Sequence, residues 1–127
     1  METIKRIWEQ DSYSWGGYAI ETDKRTLELR IDNQQDCCEA WGWFFSEDDT
    51  QQFIGAELKE VHVVDTALNK RRLEEKIPYG VDEGEIMFVN LETDRGTLQF
   101  VAYNCHNGYY GHAAEVRSIT TVHNTVL

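Results

Sequence analysis

Two stretches of the 127-residue chain concentrate side chains capable of chemistry: Cys37-Cys38-Glu39, and the run from Asn104 to His112, NCHNGYYGH. A thiol beside an imidazole makes a nucleophilic pair, so Cys37 or Cys38 with His106 or His112, oriented by Glu39 or Asn104, would suit a thiol-dependent hydrolase. The local charge opposes this, because Asp32, Asp36 and Glu39 disfavour a thiolate and no cationic cluster follows the cysteines. With Cys105 the same residues are also zinc-ligand types. Adjacent Cys37 and Cys38, however, point to opposite faces of an extended chain, unlike the Cys-x-x-Cys spacing that converges on one ion. Buried, inert cysteines are the simpler reading, and no cofactor is expected. A third chemistry is recognition. Asn107-Gly108 is a strong turn signal, and His106, Tyr109, Tyr110 and His112 around it combine flat stacking surfaces with hydrogen-bonding tips. A tight hairpin whose aromatics cover the end of a sheet would look the same. The acids Glu47, Asp48 and Asp49 fit the first turn of a helix rather than a catalytic pair, and no glycine pattern suits a phosphate cradle.

The elements that must position these residues are mostly strands. TLELRID at 26–32 alternates strictly, with Leu27, Leu29 and Ile31 on one face, and residues 17–32 read as a β-hairpin. A second hairpin runs from 85 to 102, with both faces apolar enough for burial. The two turns resemble each other, ETDKRTLEL at 21–29 against ETDRGTLQF at 92–100, at a constant offset in numbering that carries Glu21 onto Glu92. Duplication is one source of this match; good turn chemistry is the other and the more economical, since one short match does not establish a repeat. Each hairpin runs into a polar, cysteine-bearing loop followed by glycine and aromatics, which would make the two loops spatial neighbours. After the aromatic strand around 41–45, Ser46 as N-cap with Asp49 at N3 predicts a short helix near 47–54, stopped by Gly55. Val61, Val63 and Val64 return to strand. Residues 66–84 read as a long exposed loop, the most mobile element, with a turn of helix around 67–76. Residues 113–122 supply a closing strand, and the tail beyond Thr121 is expected to fray. Six or seven strands, one short helix and no βαβ unit predict a mainly β, antiparallel, barrel- or sandwich-like sheet in one domain spanning 1–127.

Composition narrows the partners. The 12 Lys+Arg against 23 Asp+Glu leave a net charge of -11, which argues against binding nucleic acid or anionic lipid directly. The charge is localised: residues 31–60 hold 1 basic and 8 acidic side chains, whereas 96–127 hold 1 of each. Charges interrupt the N-terminal residues and no apolar run approaches a membrane span, so a cytoplasmic protein with reduced thiols is expected.

In combination, CCEAWGWFFSEDDTQQFIGAEL at 37–58, VVDTALN at 63–69 and NCHNGYYGH at 104–112 resemble a small domain-of-unknown-function family common in tailed phages and prophages. The match covers most of residues 26–118. It implies a compact antiparallel fold and a phage or prophage setting, and brings no activity with it. The expected function is a non-enzymatic accessory binding protein that engages a host protein, preferably a basic one, or a small ligand, in a counter-defence role. Its site would be Cys37, Cys38, Glu39, Asn104, His106, Asn107, Tyr109, Tyr110 and His112. The competing class is a metal- or thiol-dependent hydrolase built on the same loops. A homo-oligomer through strand edges is compatible with either.

Overall fold

The alternation in TLELRID becomes a strand whose Leu27, Leu29 and Ile31 are buried at 1% exposure or less. A computed structural model describes residues 2–34, 40–77, 85–105, 112–118 and 121–127. Nine strands lie within them: β1 (Glu2–Asp11), β2 (Trp15–Thr22), β3 (Thr26–Asp32), β4 (Ala40–Phe45), β5 (Glu57–Val64), β6 (Glu85–Thr93), β7 (Gly96–Cys105), β8 (Ala113–Arg117) and β9 (Thr121–Val126). A 3-10 turn covers Thr50–Phe53 and helix α1 covers Lys70–Lys76. The strands form one antiparallel sheet in the order β4-β7-β6-β5-β1-β2-β3-β8-β9. Its edges, β4 and β9, do not pair, so the sheet is not closed into a barrel. Instead it folds over, and Ile20, Leu29 and Ile31 from one side share a core with Phe45, Leu91 and Phe100 from the other. Burying each such side chain contributes about 1.5–3 kcal/mol, so this interior dominates stability.

The shared ETD turns mark a pseudo-two-fold that relates β1–β4 to β5–β8 and leaves β9 without a counterpart. Leu29 pairs with Val116, and Phe100 pairs with Phe45; the offset that carries Glu21 onto Glu92 also carries Leu29 onto Phe100 and Phe45 onto Val116. The Ile20–Leu27 pair of β2–β3 maps in the same way onto the Leu91–Leu98 pair of β6–β7. β1 maps onto β5 by a smaller offset, the one that carries Thr3 onto Glu57. Ile4 then stands opposite Thr22 as Leu58 stands opposite Thr93, and both ladders bulge at once, between Ile4 and Arg6 and between Leu58 and Glu60. The excursion carrying α1, between β5 and β6, accounts for the change of offset. The two meanders exchange their fourth strands: β4, which follows β3, pairs with β7, and β8, which follows β7, pairs with β3.

Equivalent turns use equivalent chemistry. The Thr22 hydroxyl donates to the Arg25 carbonyl and accepts from the Lys24 N–H, and the Thr93 hydroxyl donates to the Gly96 carbonyl and accepts from the Arg95 N–H. Asp23 accepts the Thr3 N–H at 3.0 Å, and Asp94 accepts the Glu57 N–H at 2.9 Å. Thr3 and Glu57 are equivalent positions that also pair with each other, so the axis passes between them.

Several expectations change. The described residues hold nine strands rather than six or seven, because β1 and the tail strand β9 were not anticipated. The helix expected near 47–54 is the shorter 3-10 turn, and its cap is Asp49, whose carboxylate accepts the Gln51 N–H. Ser46 is unavailable as a cap: it is buried, and its hydroxyl accepts the N–H of Gln99. Within the loop expected at 66–84, α1 is pinned to the sheet. The buried Gln99 side chain bonds the Leu68 N–H and the Thr66 carbonyl, and the Arg72 guanidinium donates to the Phe45 carbonyl and to Asp48. Residues 78–84 lie outside the described residues.

Candidate functional site

Residues 35–39 and 106–111, expected from sequence to be loops, lie outside the described residues; Asp32 to Gln34 and Ala40 flank the first, Cys105 and His112 the second. The exchanged strands bring all four flanks together. Ala40 pairs with Cys105 and Trp41 with Asn104, while the ring nitrogen Nδ1 of His112 lies 2.6 Å from the Asp32 carbonyl. A carbonyl only accepts, so Nδ1 carries the proton. Trp41 and His112 are equivalent by the offset of the ETD turns, and their rings stack at 4.6 Å with an interplanar angle of 25°. The pseudo-two-fold that passes between Thr3 and Glu57 at one end therefore passes through this stack at the other.

Asparagines tie the flanks to the surrounding sheet. Trp41 donates its indole N–H to Asn33 Oδ1 at 3.0 Å, and Asn33 in turn donates to Asp11 Oδ1 and to the Ser12 carbonyl. Asn104, its equivalent by offset, donates to the Leu127 main-chain oxygen at 3.2 Å, the same oxygen that accepts the His112 N–H. Trp43 lies against Gly16, where a Cβ would come within 2.2 Å of the indole, and donates to Glu9. Glycine is required there by the close approach of the ring.

Of the residues proposed from sequence, Asn104 and His112 are described, and both are completely buried. They hold the base of the site rather than offer a surface. Cys37, Cys38, Glu39, His106, Asn107, Tyr109 and Tyr110 lie outside the described residues. Asn33 and Trp41 were missed. Extending the offset of the ETD turns along the chain would have found them, since it aligns Asn33 with Asn104 and Trp41 with His112. Burial pushes the Cys105 thiol above its ordinary range, which disfavours a thiolate there; Tyr103 is also raised, chiefly by burial and then by Cys105 beside it. Among the described residues, no three His, Cys, Asp or Glu side chains are grouped as a metal ion would need. No described helix is long and apolar enough to cross a membrane.

A family model described as a domain of unknown function, DUF7448, matches residues 2–116. The chain belongs to this family. The DUF7448 match spans β1 to β7 and all but the last residue of β8, hence both pseudo-symmetric halves, and stops before β9. Neither the curated proteins nor the solved structures yield a match.

Proposed function

We propose that this DUF7448 protein is a non-enzymatic binding module whose protein partner docks on the face from which the two loops leave the sheet. One observation carries the reading: the Trp41–His112 stack locks the flanks of both loops to a single base. Loops on a rigid scaffold are the common way to present a binding surface, because the scaffold limits the ordering cost on association. The partner is a basic protein, given the 8 acidic against 1 basic side chain in residues 31–60. The finer setting, a phage or prophage accessory acting on a host protein in the host cytoplasm, is supported by the sequence motifs alone.

Native mass spectrometry of the tagged chain from its host tests this. The expected result is a retained basic protein that is lost in a Tyr109→Ala/Tyr110→Ala variant of unchanged melting temperature. Retention of that partner by the variant, or stoichiometric zinc together with hydrolytic activity, would overturn the reading.

A further inference from the structure

The two edges of the sheet are finished differently. β4 is tied down by other elements: the Arg72 guanidinium of α1 donates to the Phe45 carbonyl, and the Trp43 indole donates to Glu9 of β1. At β9, β8 takes one side, and among the described residues no strand pairs with the other. The ladder fixes which main-chain groups face that free side. Leu127 and His112 exchange both of their N–H to carbonyl bonds, each at 2.8 Å, so by antiparallel alternation Thr125 and His123 also aim their N–H and C=O at β8. Val122, Asn124 and Val126 therefore aim theirs outward.

Edges of this kind ordinarily carry a lysine, a proline or another charged residue that discourages a further strand. β9, TVHNTV, carries none of these, and residues 118–127 contain no Asp, Glu, Lys or Arg. Val122 and Val126 are 66% and 61% exposed. Asn124 between them donates to Glu115, whose charge is met by Arg30 at 2.9 Å.

A row of outward N–H and C=O groups calls for another extended chain, and β9 matches itself. Outward residues form hydrogen-bonded pairs only with outward residues, so the antiparallel register that uses all three is centred on Asn124. It sets Val122 opposite Val126 of a second copy, Asn124 opposite Asn124, and His123 opposite Thr125. Apolar meets apolar twice, and no like charges face each other. Charge favours the same occupant, because two copies of net charge -11 approach with least repulsion along their uncharged strands, whereas a basic partner gains nothing there.

We propose that the chain forms a two-fold homodimer in which β9 pairs antiparallel with β9 of a second copy about Asn124, joining the two sheets through their free edges. The Trp41–His112 stacks, each beside a Leu127, then lie toward opposite ends of the shared ladder, so the dimer does not depend on what the loops bind.

Sedimentation velocity of the full chain over a range of concentrations tests this. The expected result is a species of twice the chain mass that gives way to monomer on dilution. Val122→Lys/Val126→Lys, at two exposed positions, should weaken the dimer on the order of tenfold or more, because the register sets lysine against lysine at both ends. Val122→Lys/Val126→Glu should recover it, since the same register sets each lysine against a glutamate. Both variants are compared at unchanged melting temperature of the dilute monomer. A wild-type chain that stays monomeric at millimolar concentration would overturn the proposal and leave the edge to a strand of another protein. A dimer untouched by the double-lysine change would overturn it too, as would a lysine–glutamate variant that dissociates as readily as the double-lysine one.

Discussion

Beside β1 the folded sheet is covered by the 3-10 turn with Phe53, 4% exposed, whereas beside β5 a hollow edged by Val63 and Val122, 40% and 66% exposed, lies over the buried Leu27 and Val116. The strands on the two sides share their register down to the position of the bulge, so strand geometry does not account for the difference. The connection after the exchanged strand does. Following β4 the chain returns along β1 through the 3-10 turn; following β8 it forms a hairpin with β9. One fold thus covers equivalent strands by two different routes of the chain.

The comparison breaks most readily at the side covered by Phe53. Phe53→Ala should cost about 3–5 kcal/mol in urea unfolding, against less than about 1.5 kcal/mol for Val61→Ala, whose surroundings are already partly open. Equal losses would mean that both sides are equally packed. A smaller effect is expected at Gly16, where a methyl group would sit 2.2 Å from the Trp43 ring. Gly16→Ala should lose about 1–3 kcal/mol through overpacking, read by thermal unfolding. The equivalent positions hold Met87 and Ala114, both buried, so bulk is transposed between the halves. Combining Gly16→Ala with Trp43→Leu should therefore cost less than the two changes summed. The smallest effect concerns pH. Burial raises the Glu2 carboxyl, but the Arg25 and Thr22 hydrogen bonds and the Arg25 and Lys24 charges outweigh it and hold the group below its ordinary 4.5. This stability is present above that value and lost as pH falls through the lowered one. Ala56 and Gly96 occupy the equivalent positions, so only the first half carries this pair. Glu2→Gln should lower stability at neutral pH by less than about 1 kcal/mol, because the pair is partly screened by solvent, and should flatten the acid limb of the pH–stability curve.

How much of this the sequence disclosed depended on periodicity. The hairpins of β2–β3 and β6–β7 were legible because their apolar residues alternate or run together between turn residues. β1 was not, since the bulge after Ile4 places its two buried residues, Ile4 and Ile7, three apart instead of two. β9 hid for a different reason: its valines, Val122 and Val126, face outward, and the less apolar His123 and Thr125 line a hollow beside β5. The meeting of the segments that flank residues 35–39 and 106–111 was readable from their matching contexts. The Trp41–His112 stack was not, because a tryptophan in an aromatic strand looks like ordinary core. Ser46 and Asp49 are both good caps by type, and only the pairing of Ser46 with Gln99 decides between them.

The exchange of β4 and β8 bears on how the molecule reaches its folded state. Neither three-stranded meander can complete its half with the strand that follows it in the chain, because that strand belongs beside the other meander. Closure therefore waits on contacts such as Arg30 with Glu115, 85 residues apart. Loop-closure entropy must be met before such contacts stabilise anything, so folding should be slow and all-or-none, without a stage at which one half stands alone.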